Sequence, residues 1–406
     1  MKIRAITFFL DPSQNNWSEQ LEHAANIAKQ LVVAFKSIGM DTQTIRLACP
    51  PIPDWLPNTK CEEIVQRVRS LETAAASAGF AYFSTGPASS GSIESIQALQ
   101  PILDETKAFT ACRLDDENGR VSLTAIRSAA RVIHAAAGLE NGFANLRFAA
   151  LARVPAGTPF FPAAFGNPHQ TAFSIAMQAA DVAQHFLQSA KDIQSGLDAM
   201  LCEFEKNAET MQAALVTIPS TSKFQFLGFD FSPAPFPDAD TSLAAALEAV
   251  GVPALGMPGS LGCAALLAAA LDQGQWKRIG FNGLMLPVLE DTILARRALE
   301  GSLTVRDLLL FSAVCGAGLD TVPLPGDTTT EQIEALLWDV AALAQRLGKP
   351  LTARLMPLPG KQAGDAVEFD FEYFAKGGVM RFDVSQLTSG LGKTDWVHIA
   401  TRVIKG

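Results

Sequence analysis

The segment Pro323-Leu-Pro-Gly-Asp327 returns as Pro357-Leu-Pro-Gly-Lys361, and between the copies a helix pattern over Thr330–Leu347 is followed by a strand pattern over Leu351–Met356. Another strand pattern, Leu319–Val322, precedes the first copy, so the unit reads strand–loop–helix–strand–loop. A strand that returns through a helix lies parallel to its predecessor, and equivalent loops then leave the same end of the sheet. This places the chain among α/β folds, in which ligands gather at the carboxyl ends of the strands. The copies end in Asp327 and Lys361, so an anion and a cation are expected at one rim.

The same alternation runs through most of the chain. Strand patterns over Ile3–Phe9, Thr42–Ala48, Phe80–Ser84, Phe109–Leu114 and Leu146–Arg153 alternate with helix patterns. A Pro-rich stretch, Pro155–Pro162, and one or two long helices between Thr171 and Leu215 interrupt the series. Strands are then expected at Phe224–Phe231, Val252–Gly256, Ile279–Leu286, Leu319–Val322 and Leu351–Met356. Ser260 is expected to cap a helix over Leu261–Leu271, and Thr304 with Asp307 forms a capping-box pattern ahead of a helix over Val305–Cys315. Phe369–Phe374 and Val379–Val384 have the look of a final hairpin. The count is about ten strands in two runs of five, separated by a helical crossover at about 160–215. Ten is too many for an eight-stranded barrel; a ten-stranded α/β barrel or a very large doubly wound sheet fits. The expected organisation is one domain over residues 1–385 and a polar tail over 386–406.

Apolar residues make up 48% of the chain and charged ones 18%, which implies a compact globular core. Phe outnumbers Tyr 25 to 2, favouring dry, ring-packed interiors. A net charge of −9 without clustered Lys or Arg argues against a nucleic-acid partner. The six cysteines are scattered without CxxC spacing, as in reduced thiols of a cytoplasmic protein. The apolar part of Met1–Leu10 is too short for a signal peptide, and Leu261–Leu271 falls short of the roughly 20 residues that span a bilayer. A soluble, cytoplasmic chain with no membrane partner is expected. Its many apolar helix faces point to a homodimer or larger assembly.

Asp230, Glu290, Asp291, Asp320 and Asp327 stand at expected strand ends. Converging on one rim, such carboxylates would suit Mg²⁺ or Ca²⁺, which prefer oxygen ligands. Alternatively Asp230 and Asp320 bond backbone amides in Pro-rich turns, and Glu290 and Asp291 complement a helix start. Adjacent Glu290 and Asp291 cannot both face one ligand. Gly256-Met-Pro-Gly-Ser260 opens a helix that can bind an anion at its first amides, or it simply packs closely. Its spacing is neither a Walker loop nor a dinucleotide fingerprint, and no flavin or NAD motif is seen. Arg147, Arg354 and Lys361 can hold a carboxylate or phosphate, although Arg147 and Arg354 lie inside strand patterns, where buried ion pairs are common. Cys315 ends a helix, where the dipole disfavours thiolate, so a buried structural thiol is expected. His134 and His185 lack metal-ligand spacing.

Several motifs, in order, resemble those of the bacterial and archaeal family labelled domain of unknown function 711. They are Asn145-Leu-Arg-Phe, Thr158-Pro-Phe-Phe-Pro, Gly228-Phe-Asp-Phe-Ser-Pro, Gly256-Met-Pro-Gly-Ser, Gly283-Leu-Met-Leu-Pro-Val-Leu-Glu-Asp291 and the two segments that carry the twin loops. The match runs from about residue 3 to about 384. The resemblance implies the barrel of pyruvate formate-lyase and ribonucleotide reductase, ten strands in two halves, in agreement with the strand count. No Arg-Val-x-Gly-Tyr glycyl-radical loop lies near the C-terminus, and Phe165-Gly-Asn-Pro intervenes before His169, where the family usually has a His close behind Phe-Phe-Pro. The function expected is an enzyme of unsettled reaction, of lyase or hydrolase type, acting on a small anionic metabolite at the carboxyl ends of the strands. Its chemistry would be acid/base or metal-assisted, with Asp230, Glu290, Asp320 and Asp327 catalytic and Arg147, Ser260, Arg354 and Lys361 holding the anion. The alternative is a ligand-binding or regulatory protein on a degenerate enzyme scaffold.

Overall fold

The first strand is apolar on both faces, and both are covered: Ile3, Ile6 and Phe8 enter the main core, whereas Phe9 packs with Phe161 on the opposite face. A sheet built from such strands needs layers on either side. The computed structural model, which describes residues 1–116, 118–218, 224–383, 387, 391 and 394–402, supplies them. Its strands are β1 (Lys2–Phe9), β2 (Thr42–Ala48), β3 (Tyr82–Ala88), β4 (Phe109–Arg113), β5 (Arg120–Ser122), β6 (Phe148–Ala152), β7 (Ala172–Gln178), β8 (Gln225–Asp230), β9 (Gly318–Pro325), β10 (Leu351–Leu358), β11 (Ala366–Val367), β12 (Gly377–Gly378) and β13 (Trp396–His398). The α-helices are α1 (Trp17–Ser37), α2 (Ile52–Trp55), α3 (Cys61–Ala78), α4 (Ile93–Glu105), α5 (Leu123–Ala136), α6 (Ala180–Ser189), α7 (Ile193–Val216), α8 (Leu243–Ala249), α9 (Ser260–Asp272), α10 (Thr292–Glu300), α11 (Val305–Val314) and α12 (Thr330–Leu347).

Among the described residues nine strands form one mixed sheet in the order β8-β7-β1-β2-β3-β4-β6-β10-β9. Strands β1, β2, β3, β4 and β6 are parallel to one another, as are β7 with β8 and β9 with β10. The seams β1–β7 and β6–β10 are antiparallel. The unit β9–α12–β10 has the parallel pairing expected from the twin loops, with Pro323, Leu324 and Pro325 in register with Met356, Pro357 and Leu358.

The strand count differs from the ten expected. Val252–Gly256 and Ile279–Leu286 are not strands, and Ala172–Gln178, expected to be helical, is β7. Pro253 removes a ladder donor from the first segment. In the second, Gly280 and Asn282 have φ of 81° and 44°, which fold the chain instead of extending it. The segment still touches both edges of the sheet through isolated parallel bridges, Phe229 with Arg278 and Pro287 with Asp320. The expected hairpin shrinks to the pairing of β11 with β12; Val384, in its second arm, lies outside the described residues. Of the tail, Trp396–His398 pairs antiparallel with β5, while residues 386, 388–390, 392, 393 and 403–406 lie outside the described residues.

One segment lies across the inner face of the sheet. The carbonyls of Gly157, Pro159 and Ala164 accept hydrogen bonds from Ser174 of β7 (2.8 Å), Thr7 of β1 (2.8 Å) and Ser84 of β3 (3.1 Å). Phe161 packs edge-on against Phe109 of β4 at 5.2 Å. Among the described residues no helix is long and apolar enough to cross a membrane.

Candidate ligand site

Two arginines inside apolar strands meet one carboxylate. Glu290, just ahead of α10, accepts from Arg4 of β1 through Oε2 and from Arg354 of β10 through Oε1 at 2.8 Å. Four strands separate β1 from β10 in the sheet order, so a flat sheet would hold them roughly 24 Å apart at the usual ~4.8 Å spacing. The shared carboxylate therefore requires a curled sheet, and it ties the two seams together. Arg354 also donates through Nε to Asp320 of β9, and Arg4 donates to the Pro235 carbonyl at 3.2 Å.

Burial opposes the charge on Glu290, but Arg4, Arg354 and Arg46 outweigh it and hold its pKa below the ordinary value. At Asp320 the balance falls the other way: burial and the Glu290 charge raise the pKa against the pull of Arg354. The free oxygen of Asp320, Oδ2, has no hydrogen-bond donor among the described residues, and Asp320 lines a cavity of about 760 Å³.

The same cavity receives Arg46 of β2. Its Nε donates to the Thr44 hydroxyl at 2.9 Å, and the Thr44 hydroxyl in turn donates to the Arg4 carbonyl at 2.9 Å. The guanidinium lies 5.4 Å from the Tyr82 ring and 5.3 Å from the Phe161 ring, which hold it by cation–π attraction. Among the described residues its two terminal nitrogens have neither an acceptor nor an ion-pair partner, although Arg46 is only 8% exposed. Burial and then the nearby Arg4 push its pKa down to about 9, so it remains a cation at neutral pH that would gain from an anion beside it.

The expected residues divide clearly. Glu290, Asp320 and Arg354 come together at the cavity floor. Arg147 reaches the cavity wall but is committed to the Thr106 and Leu103 carbonyls at 2.8 and 3.1 Å, at the carboxyl end of α4. Asp230 is not in the cavity. Its carboxylate accepts from the backbone of Phe281, Asn282 and Ser232 and from the Ser232 hydroxyl, clamping the 280–283 turn onto the end of β8. Asp291 accepts from the backbone of Ile293 and Leu294 as the N-cap of α10. Ser260 neither caps α9, which Gly259 does, nor lines the cavity; its hydroxyl donates to the Met257 carbonyl at 2.7 Å. Gly256 has φ 97°, and a Cβ there would come within 1.9 Å of the Ser302 carbonyl oxygen, so this glycine motif serves packing.

Asp327 and Lys361 are exposed and outside the cavity lining, although the loops do touch through a bond from the Gly326 amide to the Lys361 carbonyl at 2.9 Å. Most of the strand residues in the lining, Arg4, Thr44, Tyr82, Phe109, Asp320 and Arg354, lie in the amino-terminal halves of their strands, and Arg46 lies just past the middle of β2. The carboxyl-end expectation holds for sheets of one direction. Here antiparallel seams bring opposite strand ends to each rim, so that rule does not select this cavity.

Cys315 is buried, accepts from the Leu284 amide, and has its pKa pushed up by burial to about 11, in keeping with a structural thiol. His169 is exposed; its backbone amide donates to Asp11 at 2.9 Å and its ring Nδ1 lies against Gln14 at 2.6 Å, away from the cavity lining. Among the described residues no group of three or more His, Cys, Asp or Glu can hold a metal ion. The cavity carboxylates Glu290 and Asp320 are engaged by the guanidinium groups of Arg4 and Arg354. Arg4, Arg46, Tyr82 and Phe161 were not foreseen. Arg4 and Arg46 carried the same signal as Arg354, a cation inside an apolar strand.

A curled, mixed α/β sheet with a guanidinium–carboxylate network on the floor of a cavity that opens to solvent is the class that this fold and site define. The chain belongs to the family described as Uncharacterised ACR (DUF711), whose model matches residues 1–375. It is 31% identical over 353 residues to a UPF0210 protein of Pyrobaculum islandicum, covering 82% of this chain and 77% of that one. It is also similar to UPF0210 proteins of Pyrobaculum arsenaticum (29% over 377 residues, 89% and 81% covered) and Acetivibrio thermocellus (26% over 408 residues, 94% and 86% covered).

Proposed function

We propose that this protein is an enzyme that binds a small organic anion in the cavity and acts on it by non-radical acid/base chemistry, of lyase or hydrolase type. The carrying observation is Arg46, a buried guanidinium clasped by two rings with no acceptor on its terminal nitrogens among the described residues. A buried unpaired cation is costly, and a ligand carboxylate at that point removes the cost. Asp320 is the proton-transfer group. One of its oxygens is free towards the cavity, and burial keeps its carboxyl more protonated than an exposed one. Arg354 orients it.

The nine-stranded sheet is read as closing into the pyruvate formate-lyase-like barrel through residues 277–288, which bridge β8 on one side and β9 on the other. Net charge −9 supports a soluble, cytoplasmic protein without nucleic-acid or membrane partners.

A second reading, a binding or regulatory protein on a degenerate scaffold, draws support from the double ion pair of Glu290, which leaves that carboxylate no lone role in chemistry. Incubation with a mixture of cellular organic acids, followed by mass spectrometry of bound and free fractions, separates the two. For an enzyme, the wild type depletes one acid and forms a product, Asp320→Asn binds without conversion, and Arg46→Met does neither. An acid retained by the wild type, released unchanged and lost in Arg46→Met, identifies the binding protein. Retention that is equal in wild type and Arg46→Met removes both readings.

A further inference from the structure

We infer that the ligand is an amphipathic organic monoanion, a single carboxylate on an aromatic or similarly flat apolar body, with the carboxylate at Arg46 and the body between two ring clusters. This rests on the reading of the cavity as an anion site and goes further by fixing the charge and the shape of the ligand.

The charge comes from the lining. Among the described residues five cations, Arg4, Arg46, Lys107, Arg147 and Arg354, face four carboxylates, Glu72, Glu140, Glu290 and Asp320. Every carboxylate is engaged: Glu290 by Arg4 and Arg354, Asp320 by Arg354, Glu140 by Lys107 and Arg147, and Glu72 by the Lys107 amide at 2.8 Å. Only Arg46 remains, so one negative charge balances the cavity and a second would be buried without a partner. Phosphate sites recruit several backbone N–H groups at a helix start or nest. Among the described residues no α-helix contributes its first turn to this lining.

The shape comes from the walls. Tyr82, Phe109 and Phe161 pack edge to face at 5.3 and 5.2 Å. A second group, Phe143, Phe371 and Tyr373, packs at 5.1 Å in each successive contact. Both clusters line the cavity, whose volume of about 760 Å³ far exceeds what a two-carbon acid fills. Flat apolar surface placed between such walls gains both burial and ring-edge contacts.

Calorimetric titration of the full chain with acetate, 3-phenylpropionate, inorganic phosphate and citrate tests the inference. The expected result is 3-phenylpropionate binding at least tenfold more tightly than the other three. Arg46→Met should weaken it at least tenfold, and Phe161→Leu should remove most of its advantage over acetate. Tighter binding of phosphate or citrate that still depends on Arg46 overturns the aromatic monoanion while leaving the anion site standing. No binding of any probe to the wild type, or equal binding to Arg46→Met, overturns both. The wild-type ranking decides the matter by itself if a variant does not fold.

Discussion

Glu290 holds two guanidinium groups on one buried carboxylate, and removing its charge strands both of them. Breaking a buried pair from one side costs about 3–5 kcal/mol, so Glu290→Gln should lower stability by that order near neutral pH, measured by urea unfolding. The folded pKa lies below the ordinary 4.5. The contribution of the wild-type carboxylate is therefore complete above that value and is lost as pH falls through the lower folded pKa. Unfolding curves of wild type and Glu290→Gln should accordingly converge on acidification below the ordinary value; a difference that persists unchanged there would show that the loss in the variant comes from packing. Asp320, whose ionisation burial opposes, should lose less stability as Asp320→Asn. Of these residues, Glu290, Asp320 and Arg354 were legible as candidates because acidic and basic residues stood at strand ends or inside apolar strands. Nothing in the linear order told that Arg4 and Arg354 share one partner across 286 and 64 positions of chain.

At the scale of elements, local chemistry was a good guide to where helices start. The expected capping box of Thr304 with Asp307 is formed at α11, and Thr329 with Gln332 makes another at α12. Ser260 failed as a cap because the left-handed Gly259 already occupies that position. The twin loops are also close neighbours, since a Cβ on Gly326 would come within 2.2 Å of the Leu358 carbonyl oxygen. They nonetheless form a well-packed corner whose charged ends point to solvent. Asp327→Ala and Lys361→Ala should leave anion binding within about twofold of wild type by calorimetry, as surface substitutions away from a site usually do. A tenfold loss in either would return these loops to the site. The missed strand β7 had a legible signal: Phe173, Ile175 and Met177 alternate and all enter the main core. Its Ala and Gln content favoured the helical reading, and pairing with β1 decided otherwise.

At the scale of the whole molecule, α9 is apolar on nearly every side yet shows Leu261 and Leu266 to solvent, and α11 beside it shows Leu310 and Val314. We propose that this face joins two copies of the chain. Light scattering at micromolar concentration should give about twice 43.2 kDa; the mass of one chain would refute the pairing. Sequence by itself determined the α/β class, the parallel β9–α12–β10 unit, the starts of α11 and α12 and the family, because each depends on local patterns or on motifs in order. Only the tertiary structure decided the rest: nine strands in the sheet among the described residues, antiparallel seams, a curl that brings β1 to β10, and a cavity lined from the first half to the middle of the strands. The physical reason is that a carboxylate or guanidinium takes its role from the partner across from it. Asp230 and Glu290 look alike in the chain; backbone amides bind the first into a turn, and arginines from two distant strands make the second the floor of a site.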